Sequence, residues 1–201
     1  MSDSHRANAF EVSDELKSAP GSDAHNLARI SISGAEGALA KIEEIMDGRH
    51  GELDMTVLQG HLRSFFWELC GAWDLLQQWV NTAFRLGYPE EKVTMTVIRQ
   101  AKSDVTGWTE VKNILETAFE SEWHFEVRAY RNTAHRTYFS MTEISLPTKG
   151  LSWINLPAAR KGQANHFEGI VRQLSEYLNR MLEVGQKIAE LKSRRVIPTA
   201  A

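Results

Sequence analysis

The chain has 201 residues, 42% of them hydrophobic and 24% charged, with a formal net charge of −3; it can bury a sizeable core, and its net charge alone gives no affinity for nucleic acid. A single cysteine, Cys70, excludes an intramolecular disulfide framework and a multi-cysteine zinc site, and it suits a reducing compartment. No run approaches the roughly eighteen apolar residues of a membrane span, and Ser, Asp, Glu and His stand where a signal peptide needs an apolar segment, so a cytoplasmic protein without a membrane partner is expected.

Residues 1–22 are polar and aperiodic, with Ser18-Ala19-Pro20-Gly21 as punctuation, and read as a loose tail. From Asp23, a candidate cap, to Asp47 the apolar positions Leu27, Ile30, Ala38, Leu39, Ile42, Ile45 and Met46 keep helical spacing, and Gly48 ends the run. A second helix is predicted from Glu52 to Leu86, because Leu62, Phe66, Leu69, Trp73, Leu76, Val80 and Ala83 step by fours and threes before Gly87 and Pro89. A short helix is expected from Pro89 to Lys102, although Val93, Met95 and Val97 also alternate as a strand would. One long helix follows from Trp108 to Thr137. Residues 138–162, with Pro147, Gly150 and Pro157, read as a long connection or a small hairpin turning at Thr148-Lys149-Gly150. The last helix is predicted over 163–193, and 196–201 form a C-terminal tail. These elements define an all-α chain with a single domain over 23–195, an antiparallel bundle of four long helices and one short one.

Charge is unevenly distributed along the chain. Residues 1–127 carry 11 Lys/Arg against 21 Asp/Glu, net −10, whereas residues 128–201 carry 12 against 5, net +7, so the basic part begins at Arg128. Either opposite charges neutralise each other within the fold or across a dimer, or the basic part binds a polyanion. At about 100° per residue, Arg128, Arg131 and His135 fall within roughly 60° of one another, with Asn132 just beyond. Trp123, Val127, Tyr130, Ala134 and Tyr138 gather on a neighbouring arc, which puts the cationic group at the margin of the core.

Other chemistries lack their spacing. No glutamate is followed three residues later by a histidine, and neither a His-x-x-x-His pair nor a His-Glu-x-x-His motif occurs, so no metal is expected. Glu120 and His124 are one turn apart and read as a surface contact. Cys70 lies in the most apolar helix and reads as core; there is no Gly-x-Ser-x-Gly elbow, phosphate loop or dinucleotide fingerprint, and no cofactor is expected.

The arginine–histidine cluster has a physical use. RNA carries its own nucleophile, the 2′-hydroxyl, so a metal-free nuclease needs one group to move that proton and cations to stabilise the charged transition state. Histidine as a residue type suits the first task, and arginine, with its permanent charge and forked donors, suits the second. A structural role is the alternative: basic residues at a helix end also pair with carboxylates or cap carbonyl groups.

The segment Arg131-Asn132-x-x-His135, preceded by a long helix reading Phe66-Trp67-Glu68-Leu69-Cys70-Gly71-Ala72-Trp73-Asp74-Leu75-Leu76, resembles the HEPN superfamily. That resemblance implies a helical bundle, often dimeric, found in toxin–antitoxin and defence systems. It also implies a metal-independent endoribonuclease whose motif is an arginine, four to six residues, then a histidine, two copies forming a composite site. Arg128 has six residues before His135 but is followed by Ala129; Arg131 is followed by the polar Asn132 but has three. Carried over, His135 is the general acid/base, Arg131 or Arg128 stabilises the phosphate, Asn132 orients a neighbour, and Arg136 contacts RNA. The implied partners are RNA, a second copy of the chain and an antitoxin-like protein; the alternative is a non-catalytic module binding RNA, a nucleotide or a protein.

Overall fold

The spacing by threes and fours forms helices with one buried stripe each. The computed structural model describes residues 22–46, 55–136, 142–145, 152–155 and 169–193. In order these are α1 (Ser22–Met46), α2 (Met55–Ala83), a 3-10 turn (Glu90–Lys92), α3 (Met95–Gln100), α4 (Trp108–Glu120), α5 (Glu122–Arg136), β1 (Thr142–Ser145), β2 (Ser152–Asn155) and α6 (Ile170–Ser193). The fold is all-α, and among the described residues the β1–β2 pair is the one exception. The expected tails, residues 1–21 and 196–201, lie outside the described residues, as do the predicted starts at Glu52 and 163. No described helix is long and apolar enough to cross a membrane.

Three boundaries differ from the periodicity. The predicted long helix over 108–137 is two helices, so the count of four long helices is corrected to three of 24 to 29 residues with two of 13 and 15. The break is Ser121, whose extended backbone (φ −68°, ψ 154°) sends its N–H to the Ala118 carbonyl and ends α4, while its hydroxyl donates to the same oxygen. Hydrophobic spacing runs across that residue unaltered, because one extended serine removes no apolar position. The second helix stops at Ala83, three residues before the predicted Leu86. Arg85 takes the left-handed conformation (φ 53°), the Leu86 N–H reaches the Asn81 carbonyl and the Arg85 N–H the Thr82 carbonyl. That bonding pattern closes a helix with its left-handed residue at Arg85, two positions before Gly87. The short helix is likewise divided: Val93 and Thr94 are extended, and the Thr94 hydroxyl caps α3 by accepting from the Val97 N–H. The connection before α6 contains the small hairpin, β1 pairing antiparallel with β2 from Thr142 opposite Asn155 to Ser145 opposite Ser152; its turn residues lie outside the described residues.

The chain separates into two compact units, and the division falls inside α1, α2 and α6 and at the junction between α4 and α5. The first unit takes 1–30, 71–121 and 180–201. Its core holds Val80, Phe84, Ile98, Val111, Leu115 and Ile188. The Lys192 ammonium donates to the Ala83 carbonyl at 3.0 Å and lies 5.8 Å from the Phe84 ring, a cation placed on the negative end of α2. Asn81 closes the following loop through the Tyr88 carbonyl at 2.8 Å and the Tyr88 N–H at 3.2 Å.

The second unit takes 31–70 and 122–179. Leu58, Leu62, Phe65, Phe66 and Leu69 of α2 are buried with Ile42 of α1, Val127 and Tyr130 of α5, and Ile170, Leu174 and Tyr177 of α6. Each such large apolar side chain contributes about 1.5–3 kcal/mol of transfer free energy, so this stripe is what holds α5 in place.

Candidate functional site

Helix α5 is short, opens on Glu122 and closes on His135 and Arg136, so acid meets its positive end and base its negative end. His124, Val127, Tyr130 and Ala134 are buried. Glu122, Phe125, Arg128, Asn132, His135 and Arg136 are exposed, and Arg131 lies half-buried between the two faces. The whole basic group is therefore reachable from solvent, with Arg131 at the margin of the core as the wheel predicted.

A residue from α2 organises part of that group. The Arg131 guanidinium lies over the Trp67 indole with its carbon 5.1 Å from the ring centroid. The His135 imidazole lies 5.8 Å from the same ring, inclined by 41°. Arg131 and His135, one helical turn apart, thus share one aromatic partner, and among the described residues that partner is an indole rather than a carboxylate. A cation over an aromatic face gains about 0.5–1 kcal/mol at an exposed site, enough to hold the guanidinium in register beside the imidazole. Arg128, Asn132 and Arg136 sit on the exposed face of α5 and are not drawn onto Trp67.

Beneath this surface lies a polar cluster. The Tyr177 hydroxyl donates to the Glu126 carboxylate at 2.6 Å and accepts from the Gln173 amide at 2.6 Å. Tyr130 packs 5.1 Å from Phe66 and 6.5 Å from Tyr177, ring centre to ring centre. Burial pushes the Tyr130 phenol up to about 12, with the Glu126 charge adding to the rise and a hydrogen bond with Gln173 opposing it. Burial likewise raises Tyr177, reinforced by its hydrogen bond and charge interaction with Glu126. Both phenols therefore stay neutral at ordinary pH, and Tyr177 acts as a donor to Glu126. This cluster ties α5 to α6 and engages the carboxylate of Glu126, five residues before Arg131.

The structure also places Cys70, Glu120 and His124. Cys70 is buried, as its apolar helix predicts. The Glu120–His124 surface contact is corrected: Glu120 pairs with Arg99, and His124 is buried, its ring edge-on to Trp123 at 5.5 Å. The break at Ser121 puts the two residues on different helices. Among the described residues no group of three or more His, Cys, Asp or Glu side chains is arranged to hold a metal ion.

Trp67, Glu126, Gln173 and Tyr177 were not legible as site residues from spacing. Trp67 carried a signal: it lies off the buried stripe of α2, one turn after the exposed Arg63, so a large aromatic stands on a polar face. The other three carried none, since a tyrosine and a glutamate fifty-one positions apart meet only through the fold. No family model matches the chain, and neither a curated protein nor a solved structure matches it.

Proposed function

We propose that the protein is a HEPN-like, metal-independent endoribonuclease working as a homodimer, with Arg131 and His135 as its reacting pair. The observation that carries this reading is the common seat of Arg131 and His135 on Trp67, which leaves a permanent cation and an imidazole side by side and open to solvent. In this reaction the 2′-hydroxyl oxygen attacks the adjacent phosphorus and the bond to the 5′ oxygen breaks. One imidazole takes the 2′ proton and another acid delivers a proton to the departing oxygen, for which His135 of each copy provides one group. In this reading Arg131 binds the phosphate oxygens, and the exposed Arg128 and Arg136 contact the RNA backbone.

Incubating the purified protein with RNA in EDTA tests the proposal. Cleavage is expected, and Arg131→Ala or His135→Ala should each slow it by about 10²-fold or more. No cleavage of any RNA, or cleavage that survives both substitutions, removes the proposal. A second reading keeps RNA binding and drops turnover; it is favoured by the engagement of Arg131 with an aromatic ring, which suits a binding surface as well as a reacting one. Retention of RNA without cleavage would select it.

A further inference from the structure

We infer that Trp67 is a stacking platform for an unpaired base of single-stranded RNA. The inference rests on the RNA-directed reading above and adds the form of RNA and the residue that selects it. Five observations converge on it. Trp67 is 53% exposed, whereas its neighbours Phe65 and Phe66 on the same helix are fully buried. The indole is already positioned by Arg131 over it and His135 beside it, so a stacking base orders no additional side chain.

Further cations lie on the same two helices. Arg63 is exposed one turn earlier on α2, and Arg128 and Arg136 are exposed on α5 with the half-buried Arg131 between them. Of the nearest acidic side chains in sequence, Glu68 lies against Gly34, within 3.0 Å of where a Cβ would stand, and Glu126 accepts from Tyr177. The exposed face of α5 also carries two ring side chains, Phe125 and His135, on either side of Arg128 and Asn132. Arginine beside a solvent-facing aromatic is the chemistry that binds single strands, in which base faces are free; in a duplex those faces are covered by their neighbours and only backbone and groove edges are offered.

The test uses the intact protein and 2′-O-methyl RNA, which lacks the nucleophile and so reports binding alone. Fluorescence anisotropy compares one labelled strand, free and annealed to its complement, against the parent protein, Trp67→Ala and Trp67→Phe. Expected is a loss of roughly tenfold or more in single-strand affinity for Trp67→Ala, a smaller loss for Trp67→Phe, and little change for the duplex. Equal single-strand affinity in parent and Trp67→Ala overturns the inference; if unmodified RNA is still cleaved, the ribonuclease reading survives that failure. A Trp67→Ala protein that changes from dimer to monomer in sedimentation while keeping its single-strand affinity overturns it too, and assigns the surface to a second copy of the chain. A parent protein that binds neither form of RNA ends the RNA-directed reading and this inference with it.

Discussion

Replacing Tyr177 by Phe deletes one oxygen from the second unit and isolates its buried polar cluster. The ring stays, so the packing against Phe66 (6.4 Å) and Tyr130 (6.5 Å) is retained and the cavity is that of a single atom. What is lost is a 2.6 Å donor to the Glu126 carboxylate and an acceptor for Gln173. Hydrogen bonds to a charged group contribute about 1.5–3 kcal/mol, and a buried acceptor left without its donor costs at the upper end of that range. Glu126 is half-buried, so water can reach part of it, and the lower end applies: a destabilisation of about 1.5–2 kcal/mol. In a chain of this size each kcal/mol moves the melting temperature by about 2–4 °C, which predicts a fall of roughly 3–8 °C. Urea denaturation of the parent, Tyr177→Phe, Glu126→Gln and the double variant closes a cycle whose coupling energy should be about 1 kcal/mol or more. A Tyr177→Phe protein within about 0.5 kcal/mol of the parent, or additive single effects, would refute the assignment of this bond as the tie between α5 and α6.

Two further predictions concern stability. A Cβ added at Gly37 of α1 or Gly60 of α2 meets nothing within 4 Å, so Gly37→Ala and Gly60→Ala should each stabilise by about 0.5–1 kcal/mol in thermal or urea unfolding. Gly34→Ala should gain less than either, because its Cβ would come within 3.0 Å of the Glu68 side chain and displace it. His25 is buried 5.2 Å from the Trp79 ring, and burial, helped by the charge of Arg29, lowers its pKa from the ordinary 6.5. Below pH 6.5 the unfolded chain takes up a proton that the folded chain resists. Its contribution to stability is therefore complete above pH 6.5 and declines as the pH falls towards the lowered value. Denaturation midpoints measured from pH 7.5 down to about pH 5 should fall less steeply in His25→Gln than in the parent, and parallel profiles would contradict the argument.

The stripe of α2 was legible because burial of one helical face requires residues three and four apart, whatever that face packs against. The same rule placed Val127, Tyr130 and Ala134 inward and Arg128, Arg131 and His135 at the margin of the core, where the structure leaves Arg131 half-buried and exposes the other two. Ends of helices were less legible. Arg85 closes α2 in a conformation that glycine prefers, and Ser121 divides α4 from α5 with no interruption in apolar spacing; local hydrogen bonds decided both.

The amino-acid sequence by itself determined the all-α class, the cores of the long helices and the gathering of arginines and a histidine on one helical face, since all three follow from periodicity and composition. Tertiary structure alone decided what those side chains meet. Arg131 and His135 share Trp67 across sixty-odd residues of chain, and Glu126 is held by Tyr177 from a helix beyond the hairpin. Pairings of that kind depend on which helix faces are brought together, a property of packing that no spacing along one helix contains.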